Sequence, residues 1–134
     1  MRRFATDVLT ARNIGLEFRE MAIQPNLRLG AEIRRQIFLI FKEAINNIAR
    51  HSGASNSLVE FGVAQECLVL RVADNGRGFD SAAGSQGNGL VNMRKRAVEL
   101  GGVLAFETFP DHGTTVNLRV PLTYQHWWGP RIRT

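Results

Sequence analysis

The sequence predicts an α/β domain built from three helices and five strands. Apolar residues recur every three or four positions in some segments, which is typical of helices that bury one face. Other segments are rich in β-branched residues or alternate apolar and polar positions, as half-buried strands do. Glycine, proline and asparagine fall between the segments and separate them. The resulting order is α, β, α, β, β, loop, α, β, β.

Turn and capping residues set the expected boundaries. Gly53 follows the second helix, Gly101 and Gly102 follow the third, and Asn88 is a candidate N-cap for the third. Short links around 64–66 and 110–113 predict two β-hairpins. The expected elements are helices at 1–12, 30–51 and 90–100, and strands at 14–21, 57–63, 67–73, 103–109 and 114–120.

Length and composition restrict the class of protein. With 134 residues and 44% apolar content, the chain has room for one globular domain with a real core. No apolar run could span a bilayer and no signal segment is evident, so we expect a soluble, cytoplasmic domain. The one cysteine, Cys67, excludes an internal disulfide and a cysteine-based zinc site. The net charge of +5 comes from arginines spread along the chain, and neither a basic face nor a nucleic-acid-binding motif is evident, so we expect no nucleic-acid partner. The positive charge also suits a phosphate-bearing ligand or an acidic partner, and charge alone does not choose between them.

The segment at 36–51, QIFLIFKEAINNIARH, has two faces of different character. One is an apolar stripe of the kind that packs into a core. On another face Glu43, Asn47 and Arg50 are spaced i, i+4 and i+7, with Asn46 and His51 at its margins. Two adjacent asparagines in mid-helix cost on the order of 1 kcal/mol relative to alanine. The face is therefore either a functional site or a solvent-exposed polar surface.

A second polar segment, DNGRGFDSAAGSQGNG at 74–89, is unusually long for a loop in so small a domain. It follows a strand, and Asp74 at the strand end can accept a hydrogen bond from an exocyclic amine. Gly76 and Gly78 let the backbone pass close to a ligand. The glycines at 84–89 lead into a helix N-terminus, where a phosphate is favoured. The P-loop and Rossmann patterns are both absent, so a nucleotide would bind in another way.

Three motifs together resemble a known arrangement. EAINN at 43–47 with His51 looks like an N box, DNGRG at 74–78 like a G1 box, and GNGL at 87–90 like a G2 box. In order and spacing they resemble the ATP-binding domain of the GHKL superfamily, and most closely the catalytic domain of NarL/DesK-type two-component sensor histidine kinases. The resemblance covers about residues 30–122. It implies the Bergerat fold, a two-layer α/β sandwich in which three helices cover one face of a mixed, mainly antiparallel sheet.

The resemblance also assigns roles at the adenine end of an ATP site. Asp74 would accept a hydrogen bond from the adenine amine, and Thr114 would stand beside it. Gly76 and Gly78 belong to the same nucleotide-binding loop.

At the phosphate end, the resemblance makes Asn47 the Mg²⁺ ligand, and a single amide oxygen suffices because Mg²⁺ keeps water and phosphate as its other ligands. Glu43 would orient or deprotonate the attacking group, and His51 completes the catalytic set of Glu43, Asn47 and His51. A histidine at a helix C-terminus is also favoured by the dipole alone, which leaves a structural alternative for His51. The residues implied near the phosphates are Asn46, Arg50, His51, Gly87, Gly89 and Leu90.

None of the three histidines has the setting of a phosphoacceptor. The resemblance therefore implies that the accepting histidine lies on a separate dimerisation domain, with a response regulator further downstream. We expect the catalytic domain at 1–122, with its motif-bearing core at 30–122, and a tail at 123–134. A serine kinase of the anti-sigma type and an inert nucleotide- or partner-binding module are the alternatives. All of these roles require Asp74 and Asn47 to face the same cavity.

Overall fold

The computed structural model describes residues 1–21, 29–78 and 88–122, and within them the predicted element order is confirmed. The helices are α1 (Arg2–Thr10), α2 (Ala31–Asn47) and α3 (Asn88–Glu99), and the strands are β1 (Gly15–Glu20), β2 (Asn56–Ala64), β3 (Cys67–Asp74), β4 (Val103–Phe109) and β5 (Gly113–Pro121). Gly87 and the tail at 123–134 lie outside the described residues. Asn88, predicted as an N-cap, is instead the first residue of α3.

The end of α2 differs from the prediction. The α-helix stops at Asn47, and Ile48–Ser52 form one π-helical turn instead of continuing the helix to His51. The hydroxyl of Ser52 donates to the carbonyl of Ile48 at 2.7 Å, and Gly53 then ends the helix in the left-handed conformation at φ 63°. Isolated π turns of this kind are frequent at functional sites.

Five strands form one sheet in the order β1-β2-β3-β5-β4. β1 is parallel to β2, and the other neighbours are antiparallel. A parallel pair needs a long crossover, and α2 lies in the connection between β1 and β2. The register sets Asp74 opposite both Ser57 in β2 and Thr114 in β5. The end of β3 is thus held between two strands.

Helices cover one face of this sheet. Strand residues of that face and the apolar sides of α1, α2 and α3 form a single buried cluster, which includes Phe41, Ile45, Leu70, Met93 and Leu118. The opposite face carries polar side chains, among them Glu60, which pairs with Arg19 and Arg71 at 3.6 and 3.1 Å. The mixed sheet with helices on one side confirms the predicted two-layer sandwich. None of the described helices is long and apolar enough to cross a membrane.

Candidate functional site

A narrow pocket lies where the C-terminal end of α2 faces strands β3, β4 and β5. Two polar residues reach it from opposite layers, Asn47 from the helix and Asp74 from the sheet. The described residues that line it are Ala44, Asn47, Ile48, Val72, Asp74, Phe106, Thr114 and Val116. We call this cavity the Asp74 pocket. The structure therefore brings together the two residues that the sequence analysis required to share one cavity.

Asp74 is the last residue of β3 and is partly buried. Burial raises the pKa of Asp74 above its ordinary value, because removal from water penalises the carboxylate more than two hydrogen bonds stabilise it. Those bonds come from the backbone N–H groups of Gly76, at 2.8 Å, and Thr114. A partly desolvated carboxylate held in place by backbone donors is a strong acceptor for a ligand N–H group.

Thr114 lies beside Asp74, as expected, but its hydroxyl already has a protein partner. The side chain is buried, and its Oγ1 lies 3.1 Å from Oγ1 of Thr108 in a hydrogen bond between the two hydroxyls. Thr114 thus contributes a fixed polar wall, and its backbone N–H helps to hold Asp74.

The glycines after Asp74 make room for the protein's own backbone. A side chain at Gly76 would overlap the carbonyl oxygen of Ser52, and one at Gly78 would overlap the carbonyl oxygen of Phe109. Gly78 also has a φ of 74°, which favours glycine. Among the described residues, close approach of protein chain explains both positions, whereas the sequence analysis attributed them to close approach of a ligand.

Gly113 is under the same constraint, and we predict that Gly113→Ala destabilises the fold. Its φ is 84°, and a Cβ atom there would overlap the carbonyl oxygen of Asp74. The expected loss in free energy of unfolding is about 3 kcal/mol, from backbone strain and the steric overlap together. Denaturant unfolding measures it. The control is Gly30→Ala, where a Cβ meets nothing within 4 Å and the change should stay below about 1 kcal/mol. Equal stability of the two variants would contradict this account of the junction.

A second, more polar cavity separates α2 from α3 and holds Glu43 and Asn46. We call it the α2–α3 cleft, and it encloses about 210 Å³. Glu43 is half-buried, and Arg50 donates to its Oε2 at 3.3 Å. On its other side Gly89 is so close that a Cβ there would lie 3.0 Å from Oε1 of Glu43. The Glu43 carboxylate thus lies at the start of α3, where the sequence analysis placed a phosphate. A phosphate binding there must share this helix terminus with Glu43.

The remaining predicted residues lie around these two cavities. Arg50 is exposed on the π turn, and its Nε donates to the carbonyl of Asn46 at 3.4 Å. His51 is also exposed, lines neither cavity, and accepts a hydrogen bond from Arg77 at its backbone carbonyl. Leu90 packs against the core from the first turn of α3, which gives it a structural role besides the predicted part in a lid.

Several residues of the site were missed from the sequence. Val72, Phe106 and Val116 form apolar walls of the Asp74 pocket, and strand alternation relative to Asp74 and Thr114 could have identified two of them. In the α2–α3 cleft the missed residues are Leu39, Lys42, Asn92, Met93 and Arg96. Of these, Arg96 donates to Gln36 at 2.8 Å and joins α3 to α2. Helical spacing from Asn46 would have suggested Lys42 but not the α3 residues, which are distant in sequence.

Cavity size does not by itself locate the site. The Asp74 pocket encloses about 10 Å³, far below the roughly 300 Å³ at the low end of small-molecule sites. A heterocyclic base could enter only if the walls of the pocket move apart. A larger groove of about 620 Å³ lies between α1, β1 and the start of α2, with apolar residues such as Phe18 and Phe61 in its walls. It contains none of the motif residues, so the positions of Asp74 and Asn47 favour the smaller pocket as the nucleotide site.

The side chains near Asn47 can be compared with the ligands that different metal ions require. The described residues hold no group of three or more His, Cys, Asp or Glu side chains arranged for an ion. A transition-metal site needs such a group, whereas Mg²⁺ binds through one or two protein oxygens together with water and phosphate. The amide of Asn47 in the pocket, with Glu43 one turn earlier on α2, fits the second case.

Comparison with known proteins identifies relatives of this chain. Sensor protein VraS of Staphylococcus haemolyticus (strain JCSC1435) is 41% identical over 91 residues, which are 67% of this chain and 26% of VraS. VraS of Staphylococcus aureus (strain COL) is 40% identical over the same length. This chain therefore spans about a quarter of the curated relatives it matches.

Solved structures show the same fold at lower identity. The blue-light activated histidine kinase of Erythrobacter litoralis EL346 aligns with a TM-score of 0.76 and 21% identity, over 92% of this chain and 41% of that one. The Acinetobacter baumannii histidine kinase AdeS aligns with a TM-score of 0.69 and 18% identity, over 89% and 59%. Residues 32–124 match the family described as histidine kinase-, DNA gyrase B- and HSP90-like ATPase. The chain belongs to this family of ATPases.

Proposed function

We propose that this domain binds ATP with Mg²⁺ and donates the γ-phosphoryl group to a histidine on a separate dimerisation domain. The observation that carries the proposal is the position of Asp74 and Asn47 in the walls of one pocket. The carboxylate at a strand end and the amide on a helix provide the two kinds of contact that ATP needs at opposite ends. The VraS relatives, which are sensor proteins, support the same function.

At the adenine end, Asp74 accepts a hydrogen bond from the exocyclic amine. Once the pocket has opened, the faces of a purine can pack against its apolar walls, which are Ile48, Val72 and Val116. Thr114 stands beside the carboxylate and fixes it through its backbone N–H. The base therefore binds by one directed polar contact and by burial of its ring.

At the phosphate end, Asn47 holds Mg²⁺, which neutralises charge on the triphosphate when bound. Arg50 lies close enough to the same face to meet a phosphate, although in the structure it pairs with Glu43. We assign the neighbouring phosphate contacts to Asn46, His51, Gly87, Gly89 and Leu90, the last three as a short lid.

Phosphoryl transfer itself requires positioning more than covalent catalysis by the protein. A nitrogen of the accepting imidazole bonds to the γ-phosphorus as the bond from that phosphorus to the bridging oxygen of ADP breaks. Glu43 orients the imidazole and takes its N–H proton. Glu43 is half-buried beside the start of α3, so an accepting side chain would approach through the α2–α3 cleft. Release of the Arg50 pair would make the carboxylate available as a base.

The proposed reaction needs partners that this chain does not contain. The accepting histidine lies on the dimerisation domain of the same kinase, and a response regulator then receives the phosphoryl group. We take residues 1–122 as the catalytic domain, with the motif-bearing core at 30–122 and a tail at 123–134. We propose that the reaction takes place in the cytoplasm, where a kinase of this type would find ATP and a response regulator.

The test supplies the missing acceptor. The domain is mixed with the isolated dimerisation domain of a VraS-type sensor and with γ-labelled ATP, and the label on protein is measured. We expect label that is lost in acid and kept in alkali, as for phosphohistidine, and no label when the accepting histidine is replaced by glutamine. Acid-stable label would instead indicate a serine kinase, and ATP binding without any transfer would indicate an inert module. Either outcome contradicts the proposal.

A further inference from the structure

The loop after Asp74 is joined to the chain segment that follows α2. We call residues 74–78 the G1 loop, and residues 51–56 connect the π turn to β2. The side chain of Asn75 makes three hydrogen bonds across this junction. Its Oδ1 accepts from the N–H groups of Ser55 and Asn56 at 3.0 and 2.9 Å, and its Nδ2 donates to Oγ of Ser55 at 2.9 Å.

Backbone bonds extend the junction on both sides of Asn75. The N–H of Asn75 donates to the carbonyl of Asn56 at 3.2 Å, and the N–H of Arg77 donates to the carbonyl of Ser52 at 2.8 Å. Ser52 is buried, and its hydroxyl donates back to the carbonyl of Ile48, which is next to Asn47. Hydrogen bonds therefore run from the end of α2 through Ser52 to Arg77, while Asn75 binds Ser55 and Asn56 further along the same connection. The G1 loop is thus joined at several points to the segment that follows Asn47.

The sheet alone cannot fix the separation between Asp74 and Asn47. Ladder pairing with Ser57 and Thr114 holds the backbone of Asp74 but places no constraint on α2. In the core, α2 meets the sheet through apolar packing, which is not directional. Hydrogen bonds are directional, so the junction is the feature that can set this distance closely.

We propose that Asn75 is a positioning residue that fixes the spacing between Asp74 and Asn47, so that a single nucleotide can contact both. The inference rests on the proposed function, because it concerns the two ends of the same site. Asn75 is itself exposed and lines neither cavity, which separates its role from direct contact with the ligand.

Spacing matters only to a ligand that reaches both ends. When two contacts belong to one molecule, the second forms at a high effective concentration that is lost if the geometry is wrong. Loss of Asn75 should therefore weaken a ligand that contacts Asp74 and Asn47 together. A ligand that contacts Asp74 alone should bind almost unchanged.

The experiment measures two affinities for each variant by calorimetry or NMR titration, well below the unfolding temperature. The probes are adenosine and a non-hydrolysable ATP analogue with Mg²⁺. We expect Asn75→Ala to weaken the analogue about tenfold, the equivalent of one or two lost hydrogen bonds, and adenosine less than about twofold. The matched control is Asn56→Ala, a neighbouring exposed asparagine whose side chain donates weakly to Ser55 at 3.4 Å, and it should leave both affinities unchanged.

Other outcomes separate the possibilities. Equal weakening of adenosine and the analogue, or no weakening of either, overturns the spacing role. A purely structural role would lower the unfolding temperature and leave both affinities intact. If Asn75→Ala does not fold, Asn75→Gln replaces it in the experiment. The extra methylene moves the amide away from Ser55 and Asn56, so we again expect weaker binding of the analogue and nearly unchanged binding of adenosine. If the unaltered chain binds neither probe, the proposed function itself has failed.

Discussion

Asp74→Asn is expected to weaken binding of Mg²⁺-ATP about 100-fold, to the point of abolishing it at ordinary nucleotide concentrations. A hydrogen bond to a charged group contributes about 1.5–3 kcal/mol, and here a repulsive contact replaces it. The N–H group of Gly76 donates to Oδ1 of Asp74, so the amide oxygen of the variant would take that position. The amide NH₂ would then face the adenine amine, donor against donor. Calorimetric titration measures the loss, and normal affinity would reject the pocket assignment.

The same substitution should not destabilise the fold. Because burial raises the pKa of Asp74, the folded protein binds a proton here more readily than the unfolded chain does. Above the raised pKa, the ionised carboxylate therefore lowers the free energy of unfolding. Asp74→Asn removes that charge, so the variant should be as stable as the unaltered chain or more stable at pH 7. Thermal melts at a series of pH values should show the difference shrinking as the pH falls through the pKa of Asp74.

A suitable control is Glu107→Gln, which neutralises an exposed carboxylate on β4. It should change neither nucleotide affinity nor stability appreciably. Loss of nucleotide binding together with a large loss of stability in Asp74→Asn would mean that the residue is structural. Acidification should also weaken nucleotide binding by the unaltered chain, because protonation of Asp74 removes a hydrogen-bond acceptor. Since the pKa of Asp74 is raised, this loss of affinity should begin at a higher pH than for an ordinary aspartate.

The sequence predicted the elements well where local chemistry determines them. The strands β3 and β4 were placed within a residue of their observed ends, because alternation and turn residues act over a few positions. The end of α2 was missed for the opposite reason. A π turn forms there, within which the hydroxyl of Ser52 donates to the carbonyl of Ile48, and a serine at a helix end does not distinguish a π turn from an ordinary one in the sequence.

The sequence identified the residues of the candidate site better than it identified the contacts between them. The order of three motifs indicated that Asp74 and Asn47 share a cavity, and they do. The contact of Glu43 with Gly89 at the start of α3, and the crowding of Gly76 and Gly113 by backbone, depend on segments far apart in sequence. Such contacts follow from packing of the whole fold, and no local pattern encodes them.

Asn47→Ala is expected to separate the two ends of the site most clearly. Asn47 lines the Asp74 pocket from α2, and its amide is the proposed protein ligand of Mg²⁺. Its loss should reduce phosphotransfer about 10³-fold, since correct placement and charge neutralisation of the phosphates supply most of the catalysis. Adenosine affinity should change little because Asp74 is intact. Asn47→Asp should also lose transfer, because the amide is replaced by a charged carboxylate beside the triphosphate.

The dependence on Mg²⁺ gives the decisive measurement. In the unaltered chain, affinity for the ATP analogue should rise on addition of Mg²⁺, and in Asn47→Ala that rise should be largely lost while adenosine still binds. Asn117→Ala, on the strand β5 and outside both cavities, is the matched control and should keep the full rise. An Asn47→Ala variant with an undiminished Mg²⁺ effect would show that the ion is held elsewhere. Asp74 and Asn47 would then line one pocket without binding opposite ends of one ligand.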